Sequence, residues 1–212
     1  MTVRDIARPL EIGRAKRLKD ATNDTHERLD MSIMAQQPFA SRERYGLFVT
    51  VQQLFHRDTD ALYSAPVLQR LLPDHATRRR LPLIKQDLSD LGIVAAIRPE
   101  APAFPIGDAI DIPRALGWLY VAEGSNLGAA FLLKEARKLG LSESFGARHL
   151  AAAPEGRGLH WKRFATALDA VALSEADETH AVAGARAAFA RVQGLVSELL
   201  DRHPEKRKND AR

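Results

Sequence analysis

The chain has 212 residues, 45% hydrophobic and 27% charged, a composition that suits a globular protein with one sizeable core. Its 31 Lys and Arg against 27 Asp and Glu leave a net charge of +4, which accommodates an acidic protein partner but does not demand nucleic acid. Cysteine is absent, so disulfides, zinc–thiolate sites and iron–sulfur clusters are excluded. The first twenty residues scatter their charges and contain no apolar run of signal-peptide kind. The most apolar stretch, Ala115 to Leu133, is interrupted by Glu123 and three glycines and reads as buried helix rather than membrane span. A soluble, cytoplasmic protein is expected.

Apolar residues recur at helical spacing and nowhere alternate for long, which predicts an all-α fold in a single domain over 1–212, with flexible ends at about 1–12 and 203–212. The first helix runs from Arg14 to Met34 on a stripe of Leu18, Thr22, Thr25, Leu29 and Ile33, and Pro38 ends the segment. The second begins after Ser41 as N-cap and reaches Tyr63, with Tyr45, Phe48, Gln52, Phe55, Thr59 and Leu62 inward. Shorter helices follow at Val67–Leu72 and Thr77–Leu91, the latter closed by Gly92. Pro99, Pro102 and Pro105 mark a loop. Asp111-Ile-Pro113 starts a long helix to Leu139. A Gly-rich connection at Pro154–Gly158 leads to helices at His160–Val171 and Glu175–Asp201, the last capped by Ser174 with Asp177.

Among seven histidines, His75, His180 and His203 sit in polar contexts and read as surface residues, while His149 and His160 read as capping or packing groups. No H-E-x-x-H, paired E-x-x-H, Walker A, G-x-G-x-x-G or G-x-S-x-G occurs. His26 differs: four residues after Thr22 and three before Leu29, its ring is expected to face the interior, with Asp30 at i+4 able to fix its tautomer. A core histidine satisfied by Asp30 is the alternative. The stretch GWLYVAEGSNLGAAFLLKEA, Gly117 to Ala136, carries Gly117, Gly124 and Gly128 inside a helix at about 1 kcal/mol each against alanine. Gly124 and Gly128 share a face over which something flat and bulky can lie, tight helix–helix packing being the competing explanation. Gln52 and His56 add a polar pair at i+4. An imidazole on one helix and a glycine-rich helix opposite suggest a haem pocket with an open sixth position.

The segments KRLKDATNDTHERLD, QPFASRERYGLFVTVQQLFHRDTDALY, GWLYVAEGSNLGAAFLLKEA and FGARHLAAAPEGRGLHWKRF, in that order, resemble the bacterial haem oxygenases over almost the whole chain. The resemblance implies a single-domain helical fold in which haem b (iron protoporphyrin IX, both cofactor and substrate) is sandwiched between a proximal and a kinked distal helix. It implies oxidative opening of the ring with O2 to biliverdin, carbon monoxide and ferrous iron. Electrons would come from an acidic reductase or ferredoxin-type donor.

Residue by residue, His26 matches the proximal iron ligand, with Asp30 behind it. Gly124 and Gly128 match the distal glycines, and Ser125 stands where the mammalian branch has an aspartate. Gln52 and His56 match positions that organise distal water. Lys19 and Tyr120 match propionate contacts, a lysine and a phenol both being able to pair with carboxylates. Members with rotated haem carry a lysine where this chain has Met34, so Lys19 implies the ordinary seating and the IXα isomer. The competing reading gives the propionates to Lys134, Arg14 or another base. A monomer without nucleic-acid or membrane partners is expected. A non-catalytic haem carrier or sensor on the same fold is the rival function, and a basic nucleic-acid-binding helical protein a distant third.

Overall fold

The structure, a computed structural model, describes residues 12–200; nearly all of the expected flexible ends lie outside the described residues. Seven α-helices carry it: α1 (Arg14–Ala35), α2 (Arg42–Ser64), α3 (Pro66–Leu71), α4 (Leu81–Asp90), α5 (Ile112–Lys138), α6 (Arg157–Ala170) and α7 (Glu175–Leu199). No strand occurs among the described residues, where β pairing is confined to isolated bridges from Ser142 to Phe145 and Gly146. The all-α reading holds. None of the described helices is long and apolar enough to cross a membrane.

The helix starts follow from local chemistry. Ser41 Oγ accepts from the Arg44 N–H at 3.3 Å, and Asp111 Oδ1 from the Arg114 N–H at 3.1 Å. Ser174 and Asp177 close a capping box. The helix expected over Thr77–Leu91 is instead a 3-10 turn at His75–Arg78, an extended Arg79 and then α4. Pro82 lacks the N–H that would continue a helix from Thr77, so the helix restarts around it. Gly156, at φ 85°, starts α6 three residues ahead of His160. His75, expected at the surface, is buried: its ring stacks on Tyr63 at 4.8 Å, and Nε2 lies 3.1 Å from the Leu62 carbonyl. A carbonyl thirteen residues earlier, at the end of α2, supplies the partner that its burial requires.

The first half of α5 packs against α7 in the most extensive helix contact of the described fold, and the closeness has a visible cause. A Cβ on Gly117 would fall 2.1 Å from the Ala181 carbonyl oxygen, and one on Gly184 2.5 Å from that of Arg114. Only glycine permits that approach. Two apolar cores result. The larger gathers Leu18, Leu54, Leu62, Leu116, Leu119, Phe164 and Val196. The smaller gathers Tyr45, Phe48, Ile84, Leu88, Ala129 and Leu133. α2 and α5 each contribute one half to each core, so both change neighbours near their middles. Their polar residues, Gln52 and His56 on α2 and Glu123 to Asn126 on α5, fall at that crossover.

Candidate active site

His26 stands on α1 between the buried Thr22 and Leu29, yet its side chain is 57% exposed. The expected interior-facing ring is therefore corrected. Leu18, Thr22 and Leu29 seat α1 mainly against α7, and His26 lies at the rim of that contact with its ring edge-on to Phe189 at 5.9 Å. Its Nδ1 is 3.4 Å from Asp30 Oδ2. Burial raises the Asp30 carboxyl above its ordinary pKa, with His26 pulling the other way.

α1 meets α5 where the Tyr120 hydroxyl lies beside Thr22; burial pushes the Tyr120 phenol up, against the Thr22 hydrogen bond. His26 and Gly124 each follow this meeting point by four residues. Beyond it, α5 leaves Leu127 and Phe131 43% and 52% exposed. A Cβ on Gly128 would meet nothing within 4 Å, and one on Gly124 only the Trp161 ring at 3.7 Å, an ordinary contact. Small-residue packing thus accounts for Gly117 but not for Gly124 or Gly128. α5 is helical through all three, none at positive φ.

The bases named for carboxylate binding separate clearly. Arg14 is buried, its guanidinium held by Glu178 at 2.7 Å and by the carbonyls of Leu168 and Val171. It is spent inside the fold. Lys19 and Lys134 are exposed and form no ion pair among the described residues, while neighbouring Lys16 is paired with Asp20.

At the crossover of the two cores lies a cavity of about 40 Å³ lined by Phe48, Gln52, His56, Arg80, Ser125, Asn126, Ala129 and His149 among others. It brings Gln52, His56 and Ser125 together; His26, Asp30, Lys19 and Tyr120 are not in its wall. On this measure it has room for roughly two or three waters. His56 Nδ1 and His149 Nε2 are buried without a partner. Burial, with Arg80 and His149 nearby, drives the His56 pKa down to about 3, so the ring is neutral. Ser125 donates to the Ala122 carbonyl at 2.8 Å, which leaves its oxygen lone pairs as acceptors. His149 is held by Asp87 through an Nδ1 contact of 2.7 Å.

Sequence reasoning missed Asn126, Arg80, Asp87 and Glu123. Asn126 directly follows Ser125 and was within reach. Asp87 interrupts the apolar stripe of Ile84 and Leu88, a signal that a buried carboxylate has a partner. Arg80 sits in a run of three arginines with no local mark. Glu123 is buried in an ion pair with Arg78 at 3.1 Å and accepts from the Tyr63 hydroxyl at 3.0 Å, tying α5 to α2 and the 3-10 turn immediately before Gly124.

Comparison with known proteins bears on most of the chain. The family model described as Heme oxygenase matches residues 13–198. Heme oxygenase PigA of Pseudomonas aeruginosa is 43% identical over 187 residues, 88% of this chain and 93% of the relative. A heme oxygenase of Xanthomonas campestris is 36% identical over 53% of this chain and 64% of its own length. The NO- and CO-bound heme oxygenase from Neisseria meningitidis superposes with a TM-score of 0.84 at 39% identity, covering 95% of this chain and 98% of that one. The heme oxygenase of Leptospira interrogans, 17% identical, shares the fold with a TM-score of 0.69 over 89% of this chain and all of its own. The chain belongs to the heme oxygenase family.

Proposed function

We propose that this protein opens haem b oxidatively to biliverdin, carbon monoxide and ferrous iron, using O2 and electrons from an acidic reductase or ferredoxin-type donor. The observation that carries the site assignment is the contrast between glycines: α7 fills the space at Gly117, whereas nothing lies within 4 Å of a Cβ at Gly128. Exposed Leu127 and Phe131, next to Gly128 on α5, suit a flat apolar ring, and the exposed imidazole of His26 on α1 suits an iron ligand. When bound, haem supplies the iron at which O2 is activated and the carbon skeleton that is opened.

The chain's own residues hold and orient. His26 would hold the iron through Nε2, while Asp30, near Nδ1, keeps the ring in the tautomer that leaves Nε2 free. Gly124 and Gly128 would leave clearance for a small bound molecule, which a larger side chain at either position would crowd. Gln52, His56 and Ser125 hold the water through which protons arrive. Lys19, with no partner among the described residues, and Tyr120, kept protonated by burial, hold the propionates. Lys19 lies seven residues before His26, two turns away on the same face, whereas Met34 cannot pair with a carboxylate. Propionates held at Lys19 and Tyr120 would direct ring opening to the α-meso carbon, giving biliverdin IXα. The protein acts as a cytoplasmic monomer in this reading.

Turnover tests it. Haem-loaded protein given O2 and reductant loses its Soret band and gains biliverdin absorption. A Soret band that survives excess reductant means a carrier or sensor instead. Chromatography of the extracted product tests the seating, and predominant β or δ isomer overturns the role given to Lys19.

A further inference from the structure

Asp87 stands on α4 with its side chain fully buried, and both carboxylate oxygens are engaged. Oδ2 accepts the His149 backbone N–H at 2.9 Å and lies 2.7 Å from the ring Nδ1. Oδ1 accepts the Arg148 backbone N–H at 2.9 Å and its guanidinium at 3.3 Å. A carboxylate accepting at both oxygens has no proton of its own to give. Burial pushes the Asp87 pKa up, but the hydrogen bonds from His149 and Arg148 outweigh it and hold it below the usual range. The proton between the two side chains therefore sits on Nδ1 of His149.

The other ring nitrogen has a different situation. Nε2 of His149 is buried without a partner, and His149 lines the cavity shared by Gln52, His56 and Ser125. Burial lowers the His149 pKa, opposed by Asp87 and supported by the Arg80 guanidinium, so the ring is neutral with its lone pair on Nε2. Arg80 donates to the His149 and Ala151 carbonyls at the same wall. Ser125 has already donated its proton to Ala122.

We propose that Asp87 is a positioning residue for this site: acting through His149, it makes the His149 wall of the cavity a hydrogen-bond acceptor and so sets the direction in which cavity water donates. Water held there gives its protons to His149 Nε2 and Ser125 Oγ and keeps its lone pairs for the donors, the Gln52 amide among them. Without the carboxylate, the proton of His149 is free to move to Nε2, which turns the same position from acceptor to donor. Asp87 touches neither substrate nor cavity water. The inference rests on the haem-degrading reading for its effect on turnover but not for the tautomer itself.

Two measurements on the full chain separate these. In ¹⁵N-labelled apoprotein, imidazole NMR is expected to show His149 as a single neutral Nδ1–H tautomer at pH 7. An Nε2–H tautomer, a fast-exchanging mixture or an imidazolium overturns the proposal, and this readout needs no variant to fold. Asp87→Asn keeps the volume and is expected to slow biliverdin formation roughly tenfold, with haem affinity unchanged, in the range for carboxylates that orient a histidine. In a His149→Gln background the same substitution is expected to cost no further turnover, because its effect passes through the imidazole. A second tenfold loss in that background overturns the assignment. The expected tautomer in a wild-type chain that does not open haem upholds the dyad and overturns the reaction instead.

Discussion

Gly117 and Gly128 lie in one helix, eleven residues apart, and their replacement by alanine is expected to have opposite effects. In a helix interior, glycine to alanine gains about 1 kcal/mol when the new methyl group is free of contacts. Gly128 meets that condition, with nothing within 4 Å of the added Cβ, so Gly128→Ala is expected to stabilise the apoprotein by up to about 1 kcal/mol. In a chain of this size that raises the melting temperature by roughly 2–4 °C. At Gly117 the added carbon falls 2.1 Å from the Ala181 oxygen and 2.6 Å from the Ala185 nitrogen. Both are backbone atoms of α7, so no side chain can swing aside, and the helices must separate by about 1 Å to reach contact distance. Overpacking of this kind costs roughly 1–3 kcal/mol and exceeds the propensity gain. Urea denaturation of the two apoprotein variants beside wild type measures both signs. Destabilisation by Gly128→Ala of more than about 1 kcal/mol would refute the claim that the fold leaves that face open. Unchanged stability in Gly117→Ala would refute the clash. Gly128→Leu extends the test to function, with folding retained and ring opening lost; full oxygenase activity in that variant removes the steric argument.

His26→Ala is expected to lose the native ferric and ferrous haem spectra and turnover, with added imidazole partly restoring ligation; unchanged spectra would eliminate His26 as ligand. Asp30→Ala is expected to reduce haem affinity or activity by roughly 10–100-fold, and no effect would make it a mere surface carboxylate. Glu123→Gln leaves Arg78 buried opposite a neutral amide, both side chains being 1% exposed, and is expected to cost about 3–5 kcal/mol in urea denaturation; a loss below about 1 kcal/mol would contradict the ion pair's role. His56 and His75 titrate at about 3 and about 4 in the folded chain because burial disfavours their charged forms. Their unfolded counterparts take up protons below about pH 6.5, so stability is lost as pH falls from there towards the folded values, at about 1.4 kcal/mol per pH unit for each residue. A urea midpoint that stays flat between pH 7 and 5.5 would contradict their burial.

Parts of the site were readable in the linear chain because they are local. His26 and Asp30, Gln52 and His56, and Gly124 with Ser125 are each set by spacing on a single helix, which backbone geometry fixes. The exposure of His26 was not readable. A stripe containing Thr22 and Leu29 indicates a side of α1, but how far α5 stands from that side depends on where α1 sits against α7. His75 was misread for a related reason: its polar neighbours gave no hint of the Tyr63 ring and the Leu62 carbonyl that receive it.

The helical class, the N-caps at Ser41, Asp111 and Ser174, and the register of each candidate residue on its own helix were legible in the linear chain. These depend on interactions within a few residues. Helix packing alone separates the glycine that serves a close contact from the one that does not, because the difference between Gly117 and Gly128 is the presence of α7 beside one of them. Tertiary contacts withdrew Arg14 from the surface and buried Asp87 against His149, 62 residues away. Such assignments arise where distant segments meet and buried polar groups must find partners, a requirement that no local pattern expresses.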